Sequence, residues 1–367
     1  MRWDSAISFT IFYLAIAIIC FLSGAFDIER KQNKKFLICF FTVIFFLAAF
    51  RDYSVGNDTK AYVNIFKSIS KQKDIVRYMQ SSDYESLYVL LNWIISRLTD
   101  NPRFLFVIIA VICGVSVYSF TCKYVQNIGM FCCLFFVMQF SFYTSIMRQA
   151  LSVACILVAY RFLDERKWIR FLIFTLCAIG FHNSAWLFVC ICPFLSFTKD
   201  KSKVLYSGLV VVTLCCVMFS NQILALAVKL FPKYSYYEGG AYFDGEPRLA
   251  TFLNFVIYAL LLIVPKCFAQ KESNKRLENT SIEDCATIVP FVYLVTSIAT
   301  ALSRFSAIFT IFAITNYSNK IILIDKKQRV IVNIITLIEF FAYGFTIALL
   351  KTPEWQTTYP FILNFGV

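Results

Sequence analysis

Residues 104–163 read FLFVIIAVICGVSVYSFTCKYVQNIGMFCCLFFVMQFSFYTSIMRQALSVACILVAYRFL, and over that length only Lys123, Arg148 and Arg161 carry charge. A helix crossing about 30 Å of hydrocarbon needs roughly 17–25 apolar residues. The stretch therefore divides into three membrane-crossing segments, 104–122, 129–147 and 149–163, parted by polar residues and by Arg148. The rest of the chain has the same character. Of its 367 residues, 59% are hydrophobic, 16% are charged and 41 are Phe. Soluble domains average about 45–50% apolar and about 25% charged, and a soluble core of this size cannot bury such an excess. Composition excludes an ordinary soluble enzyme, a disordered chain and a disulfide scaffold.

Working outward, nine more apolar runs appear at 5–26, 36–50, 168–182, 184–198, 204–222, 250–265, 286–303, 305–323 and 330–350. The expectation is an all-α polytopic membrane helix bundle of about twelve transmembrane helices, forming one integral membrane domain over 1–367. No internal repeat or soluble domain boundary interrupts it. The first run lacks a small-residue cleavage site and reads as a retained helix, not a removed signal. The connections at 27–35, 161–170, 199–203, 266–276 and 320–329, together with Lys123, hold 20 of the 35 Lys and Arg residues. Short basic loops stay in the cytoplasm. Both termini are therefore expected outside, and the net charge of +13 records orientation, not nucleic-acid binding. Segments 51–103, 222–249 and 351–367 then lie on the outer face. The 14 Cys fall within spans or on the inner side, where Cys acts as a small hydrophobe. With one His and no Cys-x-x-Cys, a structural zinc site is not expected.

The outer face carries the residues that topology does not require. Arg148, Arg248 and Arg304 each open a span that runs inward, so each places a cation at a helix N-terminus, which favours anions. Guanidinium forks at helix N-termini form a sound diphosphate site, and Arg51, at the outer end of the second span, can join them. Snorkelling at the interface is the plainer reading for any one of them. Asp52 either pairs with Arg51 or serves as a sugar ligand. In Gly56-Asn57-Asp58-Thr59, Gly56 permits a sharp turn, and Asn57 or Asp58 is placed to cap the next helix. Tyr62, Ile65, Phe66 and Ile69 then line one face of that helix, which is expected to lie on or near the outer membrane-water interface. Residues 84–98 form a helix too short to span, either re-entrant or packed on the bundle, with Glu85 at its start. His182 stands at the outer end of its span, where the helix dipole favours its protonated form. Tyr236, Tyr237, Tyr242, Phe243, Asp244 and Glu246 suit sugar stacking and hydroxyl binding, or an aromatic belt. Glu339 lies mid-span, and an intramembrane acid is a functional candidate by default.

These segments, in this order, resemble the EpsG family of bacterial polysaccharide polymerases, part of the wider Wzy O-antigen polymerase group. The similarity rests on Val55-Gly56-Asn57-Asp58-Thr59-x-x-Tyr62-x-x-x-Phe66, Glu85, Met147-Arg148-Gln149-Ala150, Phe181-His182-Asn183-Ser184-Ala185 and Ser303-Arg304-Phe305. It implies a GT-C-like, all-helical glycosyltransferase in the bacterial inner membrane. Such enzymes act on oligosaccharide repeat units linked to undecaprenyl diphosphate, and join them by block transfer at the outer face. On that expectation Arg51, Arg148, Arg248 and Arg304 hold diphosphate. Asp58, Glu85 or His182 serves in catalysis, and Asp52, Tyr62 and Asp244 contact sugar. No metal or cofactor is expected. The implied partners are lipid-linked glycan donor and acceptor, membrane lipid and a chain-length regulator protein. A flippase for lipid-linked oligosaccharide, or another polysaccharide transporter, is the first alternative, with Glu339 its best residue, and a glycan ligase is the second. An intramembrane Ser protease is disfavoured because no Gly-x-Ser-x-Gly segment partners His182.

Overall fold

The computed structural model describes residues 2–3, 33–197, 201–219, 249–269, 280–296, 303–350 and 361–365, with isolated positions within 11–22 and 222–229 and position 358. Among these residues the protein is all-α apart from one pair of two-residue strands. The chain forms two compact units, Met1–Trp186 with Lys326–Val367, and Leu187–Asp325.

The first unit contains β1 (Arg2–Trp3), α1 (Asn33–Phe50), α2 (Thr59–Ser70), α3 (Ile75–Ser81), α4 (Ser86–Leu98), α5 (Arg103–Tyr124), α6 (Ile128–Ser145), α7 (Met147–Asp164) and α8 (Trp168–Phe181). At its centre stands α6, where Phe131, Cys132, Cys133, Leu134 and Phe135 are completely buried. A helix apolar on every side has no solvent face to present and takes a central place. The side chain of Asn127 starts it by accepting from the Met130 N–H at 3.1 Å, as an N-cap does. It ends at Ile146, whose N–H bonds back to Phe142 while its carbonyl accepts from Ala150. One residue thus closes α6 and opens α7. Helix α1 packs on α5 and α6, and α7 packs on α5 and α8.

Across the far ends of α5 and α7, Lys123, Arg161 and Lys167 converge on Glu165 at 2.7–3.0 Å, and the Tyr124 hydroxyl donates to Asp164 at 2.9 Å. The opposite ends of α1, α5, α7 and α8 carry Arg51, Arg103, Arg148 and His182. The basic connection and the candidate residues therefore occupy opposite ends of this unit. Also in the first unit, α15 (Lys326–Leu350) packs on α6, and β2 (Phe361–Ile362) pairs antiparallel with β1.

Thr59, Tyr62, Val63, Ile65, Phe66 and Ile69 of α2 are all buried, and the helix packs on α4. Its apolar face meets protein, because α4 offers a matching apolar stripe. Helix α4 packs also on α8, so of the two placements open for residues 84–98, packing on the bundle is the one adopted.

The second unit contains most of α9 (Trp186–Phe197), with α10 (Lys201–Met218), α11 (Leu249–Phe268), α12 (Thr280–Thr296), α13 (Ser303–Ser306) and α14 (Thr310–Lys320). Helix α12 packs on α10, α11 and α14. Glu283, in its first turn, accepts from Lys266 at 2.7 Å and from Lys320. That charge pairing draws a polar turn into the helix and starts it six residues before the apolar run at 286–303. The run expected at 305–323 is broken into α13 and α14. Two described helices, Arg103–Tyr124 and Ile128–Ser145, are long and apolar enough to cross a membrane, and Ser86–Leu98, Trp168–Phe181 and Phe252–Phe268 are shorter apolar helices. The expected first span, 5–26, lies mostly outside the described residues.

Candidate active site

The loop entering α2 is built on Gly56, whose φ of +89° lies in the region that disfavours side chains. There the backbone comes so close to the end of α6 that a Cβ would sit under 3.0 Å from the Thr144 carbonyl oxygen and 2.7 Å from Thr59 Oγ1. Thr59 is fully buried, and its hydroxyl donates to the Val55 carbonyl at 2.6 Å. Upstream, Asp52 accepts from Ser54 N at 2.9 Å, Ser54 Oγ at 2.8 Å and Asn364 Nδ2 at 2.9 Å. The Asp52 N–H donates to the Ile362 carbonyl at 2.7 Å. Burial would raise the Asp52 carboxyl, but the bonds from Ser54 and Asn364 and the nearby Arg103 outweigh it and hold it below its ordinary value. Asp52 is thus an anchor for the C-terminal strand, and its carboxylate makes no ion pair with Arg51.

Arg51 is 1% exposed. It donates to the Ala48 carbonyl and, at 3.4 Å, to Thr59 Oγ1, and it stacks 4.8 Å from the Phe106 ring. Arg103 donates to the Ala49 and Arg51 carbonyls and lies 4.6 Å over Tyr53. Both guanidinium groups therefore satisfy carbonyls at the C-terminal end of α1, where cations suit the helix dipole.

Arg148 is placed differently. At the first turn of α7 it meets Glu85, which precedes α4, with Nη1 2.6 Å from Oε2. The other Glu85 oxygen accepts from the Asn183 N–H at 3.4 Å. Tyr84 and Tyr88 lie 5.3 and 5.9 Å from the guanidinium carbon, within cation–π range. The rings of Tyr62 and Tyr88 meet edge to face at 5.9 Å, and the Tyr62 hydroxyl sits beside Arg148. Burial raises the Tyr62 and Tyr88 phenols above their usual range, so both stay protonated donors. Arg148 Nε and the Tyr88 hydroxyl are buried with no hydrogen-bond partner. The site thus holds spare donors beside a cation paired with Glu85.

His182 ends α8, is 7% exposed, and accepts at Nδ1 from the Ser184 N–H at 3.1 Å. Ser184 Oγ lies 2.8 Å from the same nitrogen and accepts from Gln149 Nε2 at 3.2 Å. An accepting Nδ1 leaves the ring proton on Nε2. The neutral tautomer therefore fits this geometry, in contrast to the protonated form that the helix dipole alone suggests. Arg148 and Gln149 are adjacent in α7, and Asn183 and Ser184 are adjacent after α8. Two consecutive residues on each side thus bring Arg148, Glu85 and His182 into one constellation.

Asp58 occupies the N-cap position of α2 and is exposed, but its side chain makes no cap bond, so of the two residues placed to cap the helix Asp58 does not do so. Arg304 lies exposed on α13 in the second unit. Arg248 and Asp244 fall outside the described residues. Glu339 is half-buried in α15. Among the described residues, no three His, Cys, Asp or Glu side chains converge as a metal site would require. Sequence reasoning gave no role to Arg103, Tyr84 or Tyr88, nor to Gln149 and Ser184, which stand in the quoted motifs. Arg103 carried the same signal as Arg148, an Arg opening a helix, here just after Pro102. The tyrosines carried none, because ring placement around a cation depends on helix packing.

No curated protein and no solved structure matches the chain. The family model of the EpsG family matches residues 34–363, which takes in every residue of the constellation around Arg148. The family is one of Wzy-like polymerases, so the chain is of the polysaccharide-polymerase type of membrane protein. Over nearly its whole length, from the first turn of α1 to the strand that anchors Asp52, it belongs to the EpsG family.

Proposed function

We propose that the protein is a membrane glycosyltransferase, a GT-C-like bundle of about twelve spans in the bacterial inner membrane with both termini outside. It polymerises oligosaccharide repeat units carried on undecaprenyl diphosphate by block transfer at the outer face. The observation that carries this reading is the Arg148–Glu85 pair, 2.6 Å apart, with the spare donors of Arg148 Nε and Tyr88 beside it. A diphosphate bears more charge than one carboxylate and offers more acceptor atoms, so it competes for Arg148 and takes up those donors.

In the reaction, a hydroxyl oxygen of the acceptor unit bonds to the anomeric carbon of the growing chain. The bond from that carbon to the diphosphate oxygen breaks, and the leaving group keeps the electron pair. Arg148 and the tyrosine hydroxyls stabilise the charge that develops there, which is the electrostatic part of catalysis. Displaced from Arg148, Glu85 becomes free to accept the acceptor proton, with exposed Asp58 as the second candidate base. His182, carrying its proton on Nε2, serves as a donor to the departing oxygen. Tyr62 and Asp52 border the sugar, Asp52 through the strand it anchors. Arg304 and Arg248 are each proposed as further diphosphate ligands, and Asp244 as a sugar contact; single Ala variants test them separately. A chain-length regulator protein is the proposed protein partner.

The test uses a strain lacking the chromosomal gene and complemented with variants checked for membrane insertion. Arg148→Ala is expected to leave single repeat units on the lipid at the outer face, and Glu85→Gln to shorten or abolish the polymer. Long polysaccharide from Arg148→Ala overturns the diphosphate assignment. Repeat units trapped at the cytoplasmic face in the deletion strain indicate a flippase instead.

A further inference from the structure

A second cationic feature lies apart from Arg148, in a cavity of the first unit between α1, α5, α6 and the start of α7. Its lining includes Arg51, Tyr143, Phe45, Phe106, Cys113 and Met147, and its free space, taken at the centre of a water-sized occupant, is about 10 Å3. That admits the centre of one small particle. Arg51 Nε and the Tyr143 hydroxyl, which belong to two residues of this lining, are buried without a hydrogen-bond partner. Arg103 Nε is likewise buried and unpartnered, and its guanidinium stacks on the same Phe106 ring at 5.7 Å. No carboxylate pairs with Arg51 among the described residues. Asp52, the acid acting on this cation pair, acts on Arg103. Burial, and then the neighbouring Arg103 charge, weakens the hold of Arg51 on its proton.

We propose that this cavity binds one monatomic anion, chloride, held by Arg51 Nε–H and the Tyr143 O–H. Charge separates chloride from water. A water accepts from Arg51 Nε–H and can donate to the Tyr143 oxygen, but it leaves the charge of the buried Arg51 and Arg103 without an offsetting anion. A monatomic anion needs only donors, and it offsets two adjacent cations that the end of α1 compensates in part. By fixing Arg51 the anion also steadies Thr59, and with it the loop that carries Asp58 and Tyr62.

The experiment measures thermal unfolding of the full chain in nanodiscs, titrated with sodium chloride against sodium gluconate at constant ionic strength. The expected result is a saturable rise in Tm with chloride, reproduced by bromide, whose anomalous scattering then marks the cavity. Tyr143→Phe removes one donor and is expected to weaken the apparent chloride affinity about tenfold or more. Identical Tm values in chloride and gluconate, a response that never saturates, or full chloride dependence in Tyr143→Phe each overturn the proposal. The wild-type titration decides the matter by itself if that variant fails to insert.

Discussion

Gly56→Ala is the substitution whose cost can be worked most directly from the structure. At a φ of +89°, an L side chain costs about 1–2 kcal/mol. The new Cβ would also fall under 3.0 Å from the Thr144 carbonyl oxygen, a backbone atom at the end of buried α6 that cannot swing aside. Overpacking of this kind adds about 1–3 kcal/mol, for a total of roughly 2–5 kcal/mol. For a unit of this size that lowers Tm by about 5–15 °C. Gly208→Ala is the control, because a Cβ there meets nothing within 4 Å and Ala favours a helix by up to about 1 kcal/mol. The assay is a melt of both variants in one detergent, paired with polysaccharide length in cells. Gly56→Ala is expected to melt early and to lose polymer even below its Tm, since relief of the clash displaces Thr59 and Tyr62. A variant that melts with wild type and makes full-length polymer would show that the loop is not set by this close approach.

Other expectations follow from single contacts. At about 4 Å and an effective dielectric near 20, the Arg148–Glu85 attraction is about 4 kcal/mol. With the side chains 20% and 10% exposed, Glu85→Gln is expected to cost only about 1–3 kcal/mol, read as a Tm loss that shrinks in an Arg148→Met background. Asn364→Ala removes one hydrogen bond to Asp52 and is expected to cost about 1 kcal/mol. Because the folded Asp52 carboxyl titrates below its ordinary value, its contribution is complete above the unfolded value near about 3.9 and is lost as pH falls through the lower folded one. The protection factor for hydrogen exchange at the Asp52 amide, which donates to Ile362, should therefore fall only in acid. Arg166 holds a φ of 55° in the exposed turn between α7 and α8. Arg166→Gly is expected to stabilise by up to about 1 kcal/mol, seen as a small rise in Tm.

The helical class and most segment positions were legible in the sequence, because long apolar runs, rich in the chain's 41 Phe, satisfy their backbone polar groups internally only as helices. The basic loops were legible for the same reason, since charge placement is a one-dimensional pattern. Lys123, Arg161 and Lys167 indeed gather at one end of the first unit, away from Arg148. Gly56 could be read as a turn, but not as a contact with Thr144, which is 88 positions later in the chain.

What the sequence could not distinguish was one helix-end arginine from another. Arg51, Arg103 and Arg148 all stand at helix ends, and each carries the same charge. Packing of α1 against α5 turns two of them onto the carbonyls of α1, while the meeting of α4, α7 and α8 sets the third against Glu85 among tyrosines. The apolar face of α2 likewise suits a membrane surface or a protein partner equally well, and only the presence of α4 decides between them. Local pattern fixes which residues are helical and which ends are charged. Tertiary packing decides what each guanidinium faces, because that depends on chain segments the local pattern cannot bring together.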